Sequence, residues 1–238
     1  MILFQHRLPV VAALLASSIV TARAGGPPSG IVQKFLAGEA QTLTSYRAIR
    51  RMTATTRGGH MQATMEVSTT LDPVAGFRYE IQSEDGSALI RRKVLVAALE
   101  AEQQAYRTNE SGGARLTPEN YEFVGVSVAS ENLYKIDVRA RRKNQMLIDG
   151  AVFVDGDSAD LVRMEGELSK RPSFWTRRVR IVREYGRVEN IHVPLAMEST
   201  ADILLVGAST FSMTYRYLEV NGHPVTQKTG AAHSTAAN

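Results

Sequence analysis

The chain reads as an α+β protein made mainly of antiparallel strands: an incomplete, curved β-barrel with two helices covering its concave hydrophobic side. Three observations predict this. The apolar spacing changes from a helical period to a strand period near residue 45, and returns to the helical one for a single long stretch. Turn residues then punctuate alternating segments at hairpin spacing. A meander of roughly ten strands has to curl, because a flat open sheet would leave long edges bare.

Met1–Ala24 reads as a cleaved secretory signal: Arg7 near the start, an apolar run from Leu8 to Val20, and the A-x-A site Ala22-Arg23-Ala24. The run is shorter than the roughly 20 residues a membrane span needs. The mature domain is expected at 25–221, with a small, polar, disordered tail at 222–238. Gly25 to Gly30 is a leader with Ser29 as helix N-cap, followed by an amphipathic helix carrying Ile31, Val32, Phe35, Leu36, Ala40 and Leu43. Tyr46, Ala48, Met52 and Ala54 open a first strand. Arg57-Gly58-Gly59-His60 turns it into a second (Met61, Ala63, Met65, Val67, Leu71). Asp72 to Gly76 turns that into a third (Phe77, Tyr79, Ile81). Ser83-Glu84-Asp85-Gly86 is expected to break the meander. Ser87 then caps a helix from Ala88 to about Tyr106, with Ile90, Val94, Leu95, Ala98 and Leu99 in a broad apolar stripe.

Thr117-Pro118-Glu119-Asn120 predicts one capped turn with proline at the first helical position. The remainder reads as about seven strands in series. The turns are expected at Ser130-Glu131-Asn132, at Asp155 to Ser158, at Tyr185-Gly186-Arg187 and at Gly207.

Composition bounds the function. A net charge of +4, of which the signal would remove two arginines and no acid, is not that of a dedicated nucleic-acid binder. An exported chain without cysteine carries no disulfide, which fits a bacterial periplasm. It also has no thiolate catalyst and no cysteine zinc site. The histidines lie at no ligand spacing. Asp155-Gly156-Asp157-Ser158-Ala159-Asp160 begins like a calcium loop but fails at Ala159 and at Gly166. No nucleophile elbow, P-loop or dinucleotide fingerprint is present. The expectation is a protein that is not an enzyme and needs no cofactor or metal.

The distinctive feature is the composition of the inward strand faces: Tyr46, Ala48, Arg50, Met52, Ala54 on the first; Met61, Ala63, Met65, Val67 on the second; Phe211, Met213, Tyr215, Tyr217 on the last. Small residues mixed with methionine either pack on the two helices or leave a pliable apolar cavity suited to acyl chains. Arg50 on that face is either a paired core arginine or a polar latch at a cavity mouth. The candidate cavity set is Tyr46, Arg50, Met52, Met61, Met65, Val67, Phe77, Tyr79, Met213 and Tyr215. The arginine-rich stretches 139–143 and 177–183 raise an alternative: a sensor or scaffold that binds a protein partner on the outer sheet face.

In its order of elements the chain resembles the LolA-type, or outer-membrane lipoprotein-sorting, family. The resemblance is carried by Tyr46-Arg47-Ala48, Gly76 to Ile81, Val152 to Asp155, Leu161 to Gly166, Pro172-Ser173-Phe174-Trp175 and Met213 to Tyr217. It implies an incomplete barrel closed by helices around a hydrophobic cavity, and a periplasmic carrier that moves acyl chains without chemistry. The partners so implied are acylated lipoprotein or lipid cargo and an inner-membrane transporter, with transient membrane contact, for a monomer that binds no nucleic acid.

Overall fold

The computed structural model describes residues 30–38, 43–56, 59–108, 115–171, 176–203 and 207–226. The expected signal Met1–Ala24, the leader 25–29 and the stretch Pro172 to Trp175 lie outside the described residues. So does the tail from 227 onward.

Helix α1 spans Gly30–Ala37. Strands β1 (Tyr46–Thr56), β2 (Met61–Asp72) and β3 (Gly76–Gly86) follow. Next comes one helical run: α2 (Ala88–Ile90), a π-helical stretch (Arg91–Val96) and α3 (Ala97–Arg107). Strands β4 (Tyr121–Ser130), β5 (Leu133–Ala140), β6 (Ile148–Asp155), β7 (Leu161–Leu168), β8 (Thr176–Val188), β9 (Ile191–Ile203) and β10 (Gly207–Val220) complete the meander. All pair antiparallel in one sheet, in the order β3-β2-β1-β10-β9-β8-β7-β6-β5-β4. The first three strands are thus joined to the last seven through β1 and β10, while β3 and β4 remain as edges. This is the unclosed, curved sheet with covering helices that the sequence predicts.

One row of directly opposed residues fixes the concave face. It runs Met65, Met52, Met213, Met197, Arg183, Met164, Val152, Ile136 from β2 to β5. Residues opposite one another in antiparallel strands project to the same side. The row passes through two apolar clusters. In one, Val32, Phe35 and Leu36 of α1 pack with Ile136, Val138, Val152 and Val154. In the other, Leu95 and Leu99 pack on Ala48, Met52, Met65 and Val67. The strands approach closely where Gly150 opposes Gly166: a Cβ on Gly150 would sit 2.1 Å from the Glu165 carbonyl oxygen. Only paired glycines permit that approach.

Several expectations are corrected. The stretch Ser83 to Gly86 does not break the meander, because β2 offers it ladder partners as far as Ala63↔Gly86. Gly186 is not a turn residue. It opposes Val193 within the ladder, and a Cβ there would meet Leu195 Cδ1 at 2.7 Å. The turn falls instead at Glu189-Asn190, both at positive φ (48° and 62°), as a two-residue hairpin with right-handed twist requires. Helix α1 stops at Ala37, short of Leu43; residues 39–42 are outside the described set. Past residue 222, His223 and Pro224 pair with β10 and Val225 packs on the core, so this part of the expected tail is held. The Ser87 cap forms as expected, its Oγ accepting from Ile90 N. The loop Asp155 to Asp160 is a hairpin turn, closed by Asp155 Oδ1 accepting from Asp157 N, Ser158 N and Ser158 Oγ. Those donors hold the Asp155 carboxyl below its usual range, with Ser158 the main cause.

Candidate ligand cavity

A hollow of about 660 Å³ lies between α3 and the concave face of β1, β10, β9 and β8. This falls within the range of roughly 300–1,000 Å³ for small-molecule sites. Its floor includes Met52, Met197, Phe211, Met213 and Tyr215. Its roof is Ala98, Leu99, Ala101 and Ala105 of α3, and Met146 closes one side. The hollow follows from residue size. α3 presents alanines where leucines would reach the sheet, and the floor is methionine, unbranched and adaptable in shape.

Arg50 lies on this wall and is 1% exposed. Its Nη1 donates to Glu102 Oε2 at 2.5 Å and its Nη2 to Glu102 Oε1 at 2.9 Å, a bidentate pair that ties β1 to α3. Nη2 also donates to the Tyr46 hydroxyl, and the guanidinium lies 4.7 Å from the Tyr215 ring centroid and 4.9 Å from that of Phe77. The geometry makes it a paired arginine on the cavity wall, buried rather than standing at a mouth. Burial is the largest influence and opposes its charge, but Glu102 together with Tyr215 and Tyr46 outweighs it and lifts its pKa above the ordinary arginine value. Burial pushes the Tyr215 hydroxyl up to about 12, against the pull of Arg50.

Of the ten candidate residues, Arg50, Met52, Met213 and Tyr215 line the hollow. Tyr46, Met65, Val67 and Phe77 are buried in the adjoining core, and Met61 and Tyr79 pack against it. Met65, at 2% exposure, is buried and does not line this hollow.

Sequence reasoning missed Glu102, which sits on what looks like a solvated helix face. It also missed the inward aim of Arg183. The run 177–183 reads as one basic patch, but strand alternation divides it. Arg178 and Arg180 face outward and pair with Glu167 and Glu165, while Arg183 sits in the concave row between Met197 and Met164. The odd-numbered phase Val179, Ile181, Arg183, Tyr185 was the available signal. In the other basic stretch, Arg141 donates to the Pro118 and Tyr121 carbonyls and Lys143 pairs with Asp149.

No group of three or more His, Cys, Asp or Glu that could hold a metal occurs among the described residues. No helix among them is long and apolar enough to cross a membrane.

No family model matches the chain, and no curated protein does. Among solved structures it is similar to a LolA superfamily protein from Nitrosomonas europaea. The identity is 9%, over 77% of this chain and 90% of that one, with a TM-score of 0.36. At that level the likeness carries no argument about family, ligand or function.

Proposed function

We propose that this protein is a periplasmic carrier that holds an acyl chain of a lipoprotein or lipid in the hollow beneath α3, and performs no chemistry on it. One observation carries the reading: an apolar cavity floored by Met52, Met197 and Met213 and roofed by alanines. Methionine surfaces re-pack around different alkyl shapes, as a carrier's site must. The signal-like Met1–Ala24 supports work outside the cytoplasm. Cargo arriving from an inner-membrane transporter, brief membrane contact and a monomeric state belong to the same reading.

Native mass spectrometry of the purified protein, with displacement of a neutral fluorescent probe by alkyl ligands, tests it. Co-purifying lipid or saturable displacement is expected. Ala105→Phe should fill the hollow and weaken binding by about 10-fold or more while the circular dichroism spectrum is kept. Absence of both lipid and alkyl binding in the unaltered protein would end the proposal.

A further inference from the structure

The hollow is electrically unbalanced. Its lining holds two guanidinium groups, Arg50 and Arg183, and one carboxylate, Glu102. Glu102 gives both oxygens to Arg50. Arg183 enters none of the ion pairs among the described residues. Its neighbours in the lining are the hydroxyls of Tyr185 and Tyr215, with Glu102 acting on it through space. An arginine does not lose its proton, and Glu102, though it also attracts Arg183, is shared with Arg50, so the lining keeps one positive charge in excess. Arg183 is half-buried, so water screens part of this excess, and an anion in the hollow would complete its compensation.

Its position says where the anion would sit. Arg183 directly opposes Met197, which opposes Met213, which opposes Met52, all on the concave face and all lining the hollow. An alkyl chain laid along these methionines brings its end to the guanidinium.

We infer that the hollow takes a single-chain anionic amphiphile, its carboxylate or phosphate head on Arg183 and its tail over Met197, Met213 and Met52. This rests on the acyl-carrier reading and narrows it: a neutral chain of equal length is the poorer ligand. The guanidinium fork suits both head groups, since each offers paired oxygens.

Displacement of a neutral probe by laurate, dodecyl phosphate and dodecanol decides it. At least one of the two anions should bind about 10-fold or more tighter than dodecanol, the scale of a charge-assisted hydrogen bond. Arg183→Gln should erase that preference and leave dodecanol unchanged, and Arg183→Lys should restore part of it. Which anion is preferred identifies the head group. Equal binding of all three by the unaltered protein overturns the inference and leaves the carrier reading standing. So does a preference that survives Arg183→Gln. Binding of none of the three overturns both. Should Arg183→Gln not fold, the acid-to-alcohol ratio of the unaltered protein still decides.

Discussion

Around Ile136, Val152 and Val154 the concave face is packed shut beneath α1. Around Met52, Met197 and Met213 it stands hollow beneath α3. Both regions belong to one sheet and one row of opposed residues, so topology does not separate them. Side-chain shape does. Branched Val and Ile have few rotamers and interlock with a helix face that offers Val32, Phe35 and Leu36. Methionine against alanine leaves volume unfilled. A curved sheet can therefore be core in one half and container in the other, and the choice is made residue by residue.

A first large effect is expected from the tether across the hollow. Glu102→Ala leaves Arg50 buried and uncompensated. Glu102 is 30% exposed, so the loss should fall near the low end of the ~3–5 kcal/mol typical of such breaks, read from urea unfolding. Joining Arg50→Met to Glu102→Leu should recover most of it, since apolar replacement of both partners is often tolerated. A Glu102→Ala protein as stable as the parent would remove the tether from the account.

Next is a direct contrast of the two halves. Ile136→Ala in the shut half should cost about 2–5 kcal/mol, because a new cavity opens where none existed. Met197→Ala should cost less than about 2 kcal/mol, because it only enlarges a space already there. Equal losses in denaturant melts would mean that the two halves are packed alike.

The smallest effect is alkaline. Burial pushes Tyr215 up to about 12 and raises Tyr46 and Tyr217 further, all in the hollow half. An unfolded tyrosine titrates near 10. Between those values the unfolded chain releases protons that the folded chain keeps. Stability is therefore full below about pH 10 and falls as pH climbs toward 12. Thermal melts on either side of about pH 10 should show the fall, and Tyr215→Phe should lessen it. A melting temperature flat across that window would contradict the burial of these phenols.

Much of this was legible in the chain. Alternation gave the faces of β1, β2 and β10, and Ser87 marked the start of α2. Four of the ten candidate residues line the hollow, because strand phase sorts inward from outward but cannot tell a residue beneath a helix from one beside a gap. Met65 and Met52 are equivalent by phase and directly opposed, yet only Met52 meets the space. Glu102 was hidden because a helical carboxylate is ordinarily solvated, and its partner lies 52 residues away. Gly186 misled because a glycine that yields room to Leu195 looks, in sequence, like one that bends the chain.

The edges β3 and β4 end the ladder without meeting. A closed cylinder fixes its bore through its strand count and stagger, and widening it would break backbone hydrogen bonds. An open trough has no such ring to rupture: its rims can spread or draw together by small changes of twist at each step. The trough can thus alter its girth while every ladder bond stays made.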